Sequence, residues 1–196
     1  MTNFLLIRHG LNDAVGHRLS GRLPGLHLNA VGLAQAAGLP ERLAGWKIDA
    51  IYASPLERTV ETAMPTAQHL GLPLETDIRF AEFDYGDWSG MTIEELTPRP
   101  DWKRFVRLRS GTRAPNGESI TDVQARMMTA LMELAEKFSM RTVAVFSHAD
   151  AIRAVLMHVL GIPVDHIQRM DIQPASISVV RLQDAYPMVL GVNLAP

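Results

Sequence analysis

The chain has 196 residues, 47% of them hydrophobic and 20% charged, a formal charge of −2 at pH 7 and no cysteine. Such a length and balance describe one globular, soluble domain with a sizeable core, and the near-neutral charge supplies no global basic field for nucleic acid or anionic membranes, so any attraction for anions has to be local. Disulfides and thiolate metal sites are excluded, and with no signal-like N-terminus and no segment of membrane-spanning length the expected location is cytoplasmic.

The first element is the apolar run Phe4-Leu-Leu-Ile7, which reads as a buried central strand of a parallel sheet and ends abruptly in Arg8-His9-Gly10. An Arg-His pair at the carboxyl end of such a strand stands where open α/β sheets place their ligand crevice. The ordinary readings of the pair are a satisfied buried histidine and a surface cation. Residues 11–28 carry no sustained periodicity and read as a loop over that edge. Asn29 is then an N-cap for a helix carrying Leu33, Ala36, Ala37 and Leu43, which Pro40 should kink or divide.

A second strand is expected over Ile48 to Ala53, followed by Ser54-Pro55-Leu56-Glu57, which reads as a capping box with proline in the first helical position. That helix runs to Leu70, bent at Pro65 and stopped by Gly71. Arg58 falls near its first turn, where a cation opposes the helix dipole, so an anionic partner is an economical explanation. The plain alternative is a surface pair with Glu61. Pro73 to Phe80 reads as extended. It leads into a turn-rich loop, residues 81–90, in which Glu82 and Asp84 alternate and an acid walled by Phe83, Tyr85 and Trp88 would have a raised pKa suited to proton donation.

Between Thr97 and Arg113 the chain turns locally basic, with Arg99, Lys103, Arg104, Arg107, Arg109 and Arg113 against Asp101, and Trp102, Phe105, Val106 and Leu108 give it an apolar side. It reads either as a solvated helix face or as a lid that draws in anions. Ser119 and Asp122 open a long amphipathic helix marked by Ile120, Val123, Met127, Leu131, Leu134 and Phe138. Thr142 to Ser147 is a third strand, and it hands over through His148 to a helix carrying Ile152, Val155, Leu156 and Leu160, closed by Gly161. Free backbone donors near Ala149 can hold a phosphate at that junction. Gln168 to Asp171, Ser176 to Leu182 and Met188 to Leu194 read as further strands, the last two as a hairpin around Asp184 to Pro187.

Three strands thus deliver Arg8 and His9, Arg58 and His148 to the same edge of a parallel sheet, and such a cluster needs a negative guest to offset repulsion and desolvation. Arg8-His9-Gly10, Ser54-Pro55-Leu56-x-Arg58-x-x-x-Thr62-Ala63, Glu82-x-x-x-Gly86-x-Trp88-x-Gly90 and Ser147-His148, in that order over essentially the whole chain, resemble the histidine phosphatase superfamily, in its phosphoglycerate mutase-like branch. Pro115-Asn-Gly-Glu-Ser119 is similar to that branch's lead into its long helix.

The resemblance implies an α/β fold, a three-layer α/β/α sandwich with a mostly parallel central sheet, as a single domain over residues 1–196 with a small helical lid insertion at about 91–115. It implies that His9 is the nucleophile, that Arg8, Arg58 and His148 hold the phosphoryl oxygens, and that Glu82 is the acid for the leaving oxygen. Asn12, Gly21 and Ala149 join the phosphate- and substrate-binding set. No metal and no cofactor are expected, because the cations take the place of magnesium. The chain departs from the pattern at Leu11, Val15, Ser20, Ala149 and Asp150, the last two standing where the family often has glycines.

The expected activity is hydrolysis of a small phosphorylated metabolite through phosphohistidine. The alternatives are a mutase and a catalytically silent phospho-ligand-binding module. A histidine-based metal enzyme is disfavoured, since no His-x-x-x-His spacing occurs. The expected partner is a small phosphorylated substrate, not nucleic acid or membrane, and a homodimer is left open.

Overall fold

The computed structural model describes residues 1–182 and 186–194. Strand β1, Thr2–Arg8, lies in the interior of a six-stranded sheet. It pairs in parallel with β4, Thr142–Ser147, and antiparallel with β5, Ile177–Leu182. Strand β2, Ala50–Ala53, pairs in parallel with β4 and with β3, Leu74–Thr76, and β6, Met188–Leu194, closes the opposite edge antiparallel to β5. The order is therefore β3-β2-β4-β1-β5-β6, with β5 alone running against the rest.

Alternation within β1 builds both halves of the core. Phe4 and Leu6 pack on one face with α5, Ile120–Lys137, and α6, Ala149–Leu160, while Leu5 and Ile7 pack on the other with α1, Ala30–Arg42, and α2, Glu57–Leu70. Both faces of the strand are covered, which is why its sequence is a continuous apolar run. This is the expected α/β three-layer sandwich with a mostly parallel sheet.

The helix boundaries follow local chemistry in most places. Asn29 accepts from the Gly32 amide, Ser119 and Asp122 form a reciprocal capping box, and Gly71 and Gly161 terminate α2 and α6, each at φ 64°. Three readings are corrected. Of the kink or division expected at Pro40, the division does not occur: helix α1 continues through Pro40 to Arg42. The Ser54 capping box does not form: α2 starts at Glu57 after Leu56, because the Ser54 hydroxyl is held by His148 and the Glu57 carboxylate accepts from the Gly25 amide. Gln168–Asp171 is not a strand, since a 3-10 helix occupies Val164–Arg169. The extended reading of Pro73 to Phe80 holds for β3 and gives way to a 3-10 turn at Ile78–Phe80. The hairpin expected around Asp184 to Pro187 falls partly on residues 183–185, which lie outside the described residues.

The segment at 91–115 contains two short helices, α3, Ile93–Leu96, and α4, Pro100–Arg107. Its apolar side docks on the 81–90 loop: Trp102 and Phe105 stand 5.4 and 5.0 Å, between ring centroids, from Trp88. Lys103, Arg104 and Arg107 remain exposed on the other side. Among the described residues no helix is long and apolar enough to cross a membrane.

Candidate active site

The carboxyl ends of β1 and β4 are neighbours in the sheet, Arg8 standing opposite Ser147, so the two histidines that follow them meet. The imidazoles of His9 and His148 lie 5.2 Å apart between centroids, edge to face, and both rings are buried. His9 Nδ1 stands 2.7 Å from the Gly10 carbonyl. A carbonyl can only accept, so this nitrogen carries the proton and Nε2 keeps its lone pair. Burial first, then the charges of Arg8 and Arg58, push the His9 pKa well below the ordinary imidazole value, so the ring is neutral. The same causes, burial ahead of Arg58 and its neighbours, depress His148. The His148 Nε2 pairs with the Ser54 hydroxyl at 2.9 Å, and its Nδ1 is buried without a partner among the described residues.

Close backbone packing fixes the turn after His9. A Cβ on Gly32, in the first turn of α1, would stand 2.0 Å from the Leu11 carbonyl, so only glycine lets the helix approach the loop this closely. From the other side the Thr62 hydroxyl accepts from the Gly10 amide at 2.9 Å and donates to the Arg58 carbonyl at 2.6 Å, tying the loop to α2.

Arg58 is 1% exposed. Its Nη2 donates to the Gly21 carbonyl at 2.8 Å, while Nε and Nη1 are buried with no partner among the described residues. The surface pair with Glu61 is not formed: Glu61 bonds His27 and the Leu28 amide instead. Arg8 donates through Nη1 to the Ile172 carbonyl at 2.5 Å and leaves Nε unpartnered. Asn12 is buried, its Oδ1 accepting from the Ala14 amide and its Nδ2 left without a partner. Gly21 enters as the residue whose carbonyl orients Arg58. Ala149 opens α6 behind His148, a position with no side-chain cap.

Glu82 completes the group. Its Oε1 accepts from the Phe83 amide at 2.9 Å and from the Ala151 amide at 3.3 Å. Burial chiefly, and the charge of Asp150 next, raise its pKa, against the pull of Arg58 and Arg8. The raised value expected from the sequence therefore holds, but a second acid shares the work assigned to the aromatic wall.

Several contacts that position the site could not be read from the sequence. The Glu82 carbonyl accepts from Arg22 Nε and Arg126 Nη2, and both guanidiniums are held in turn by Glu118, at 2.7 and 2.9 Å. The Glu82 loop is also locked to the turn before α5, since a Cβ on Gly86, at φ +52°, would fall 2.0 Å from the Pro115 carbonyl. Asp150 is buried at the start of α6, bonded by Tyr85 and Arg153. Arg109, taken with its neighbours as a surface or lid cation, is 1% exposed beside Asp150.

The arrangement can do three things chemically. It presents a neutral imidazole with an available Nε2, it offers guanidinium, amide and imidazole nitrogens that lack partners among the described residues, and it supplies a carboxyl whose pKa is raised. Such a set suits nucleophilic attack on a tetrahedral anion with a proton donor at hand.

Comparison with known proteins agrees with this geometry. The family model described as "Histidine phosphatase superfamily (branch 1)" matches residues 4–195. A phosphoserine phosphatase 1 of Hydrogenobacter thermophilus is 31% identical over 99% of this chain and 93% of its own length. A Yersinia pestis protein named "Probable phosphoglycerate mutase GpmB" is 32% identical over 94% of this chain and 87% of its own. Among solved structures, a mycobacterial glucosyl-3-phosphoglycerate phosphatase complexed with VO3 is 28% identical and superposes with a TM-score of 0.88 over 98% of this chain and 99% of that one.

Proposed function

We propose that this chain, which belongs to the histidine phosphatase superfamily, branch 1, is a phosphoric monoester hydrolase that acts on small phosphorylated metabolites with His9 as the nucleophile. The observation that carries this reading is the state of His9: buried, neutral, tied through Nδ1 to Gly10, and flanked by arginines with unpartnered donors.

In this reading the phosphoryl oxygens sit among Arg8, Arg58, His148, Asn12 Nδ2 and the Ala149 amide. His9 Nε2 attacks phosphorus while the ester bond breaks, and the Glu82 proton passes to the leaving oxygen, releasing an alcohol. Glu82, now a carboxylate, takes a proton from water as its oxygen attacks phosphohistidine, and phosphate leaves with His9 and Glu82 restored. The guanidiniums supply the positive charge that magnesium supplies elsewhere, so no metal is required. We assign residues 1–196 to one domain, with 91–115 as its lid.

The relatives' names point to phosphoserine and glucosyl-3-phosphoglycerate as the first substrates to try, beside p-nitrophenyl phosphate. The test is rapid alkaline quenching during turnover, with mapping of the acid-labile phosphoryl group. It should reside on His9, and His9→Ala should stay folded by circular dichroism while losing both label and phosphate release. Label on another residue, or undiminished turnover by His9→Ala, would refute the assignment. The mutase-named relative favours a second reading, phosphoryl transfer between hydroxyls. Isomerisation of 3-phosphoglycerate that outpaces phosphate release would select it.

A further inference from the structure

The first turn of α6 brings a second carboxylate to the site. Asp150 is 5% exposed; its Oδ2 accepts from the Tyr85 hydroxyl at 2.8 Å and its Oδ1 from Arg153 Nη1 at 2.9 Å, and Arg109 Nη1 stands 3.9 Å from Oδ2. One residue further on, the Ala151 amide donates to Glu82. Asp150 is thus next to the residue that anchors the Glu82 carboxyl, and it also grips Tyr85, three positions along the same loop. Neither this acid nor buried Arg109 takes part in the steps above.

Two acids in one buried region do not both ionise without repulsion, and the one with the better cationic partners keeps the charge. Asp150 has Arg153 and Arg109 as well as a hydroxyl donor. Glu82 has two backbone amides, while Arg8 and Arg58, which also face it, are the groups a bound phosphate would neutralise. Arg22 and Arg126 are committed to the Glu82 carbonyl and to Glu118. Arg153 is shared between Asp150 and Asp171.

We propose that Asp150 is a positioning residue for the proton of Glu82: hydrogen-bonded by Arg153 and Tyr85, with the Arg109 guanidinium 3.9 Å away, it holds the negative charge of the pair and leaves Glu82 as the proton donor. This rests on the reading of Glu82 as the acid for the leaving group. The direction of the electrostatics agrees. Although burial opposes ionisation at Asp150, Arg109 and Arg153 keep its pKa below the usual range, whereas Glu82, facing Asp150, is raised. Arg109 becomes the contact through which the 91–115 segment bears on the proton.

The test follows the Glu82 carboxyl by carbon-13 NMR titration of the ligand-free, full-length protein, assigned with Glu82→Gln, alongside the pH profile of kcat/KM for p-nitrophenyl phosphate. In Asp150→Asn, which keeps an acceptor for Tyr85, the Glu82 midpoint should move to lower pH, and kcat/KM at pH 8 relative to pH 5 should fall several-fold. Asp150→Glu should restore both. Arg109→Gln, which unmasks the Asp150 charge, should move the midpoint the opposite way, and it carries the test if Asp150→Asn does not fold. Tyr85→Phe, which leaves the Asp150 charge in place, should not move the midpoint to lower pH. An unmoved midpoint in Asp150→Asn, or in Arg109→Gln where that variant carries the test, overturns the proposal, as does a Tyr85→Phe midpoint that matches Asp150→Asn. A midpoint that moves with no change in the rate profile upholds the shared proton and overturns instead the role given to Glu82.

Discussion

Replacing Arg58 by methionine should lower activity and raise the stability of the ligand-free protein. Two of its nitrogens, Nε and Nη1, are buried without partners, and on the proposed mechanism both bond the phosphoryl group. A hydrogen bond to a charged group contributes about 1.5–3 kcal/mol, so losing two removes about 3–6 kcal/mol of transition-state stabilisation, or roughly 10²- to 10⁴-fold in kcat/KM. In the free protein the same guanidinium is a nearly inaccessible cation whose one hydrogen bond is to the Gly21 carbonyl. Its desolvation costs several kcal/mol, of which that bond returns about 1.5–3. Methionine fills a similar length without charge but strands the carbonyl, at a cost of about 1–3 kcal/mol, leaving a net gain of about 1–2 kcal/mol. For a chain of this size that is an increase of about 2–8 °C in Tm. Differential scanning calorimetry with and without orthovanadate, beside steady-state kinetics, measures both sides. Vanadate should raise the Tm of the natural protein and not of Arg58→Met. A variant with a lowered Tm and less than about a tenfold loss of kcat/KM would refute the view of Arg58 as a cation held in waiting for an anion.

The buried histidines make stability depend on pH. His9 and His148 are both held, by burial and then by neighbouring arginines, below the value near 6.5 that they have when unfolded, so below that pH the unfolded chain binds more protons and stability falls with falling pH. Each contributes up to about 1.4 kcal/mol per pH unit, and urea unfolding of His148→Asn between pH 7 and 5 should show a shallower loss; an unchanged slope would contradict a neutral, buried His148. At the rim, Arg107 is exposed on α4, and if 91–115 draws in anions, Arg107→Ala should lower kcat/KM a few-fold at low ionic strength and flatten its salt dependence, with kcat unchanged. Identical kinetics at all salt concentrations would reduce that face to a solvated surface.

The parts of this fold that could be read from the sequence are those whose causes lie close together in the chain. The run Phe4–Ile7 announces its two covered faces, and Ser119 with Asp122 announces the start of α5, because strand burial and helix capping act over a few residues. Ser54 shows where that logic stops. Its spacing to Glu57 fits a capping box, yet the hydroxyl goes to His148 and the carboxylate to Gly25, and contacts made by folding outrank the local rule. Arg109 was misjudged for the same reason. Among five other basic residues between Thr97 and Arg113 nothing marks it as the one that turns inward, over the Phe105 ring and to within 3.9 Å of Asp150, which lies in another helix. The Arg22, Glu118 and Arg126 network behind Glu82 is equally non-local. Its one trace was Glu118 within the Pro115-Asn-Gly-Glu-Ser119 stretch, read as a lead into α5 and not as a brace for the acid.

Burial is the largest influence on both titratable groups of the proposed reaction, His9 and Glu82. Removing water from an ionisable side chain disfavours its charged form, which for an imidazole is the protonated form and for a carboxyl the deprotonated one. On the proposed mechanism the same burial leaves His9 bare at Nε2 and, together with the charge of Asp150, raises the Glu82 pKa, so one shared cause moves nucleophile and acid in the directions their roles require. The guanidiniums of Arg8 and Arg58 cannot follow that route, because they do not give up a proton in proteins, and so they remain charged with unpartnered donors. Their unmet charge is what an incoming phosphate answers. Binding the dianion lifts the pressure that Arg8 and Arg58 place on both neighbours, moving His9 toward more basic behaviour and Glu82 toward tighter hold of its proton, so substrate itself completes the protonation pattern that attack and leaving-group departure require.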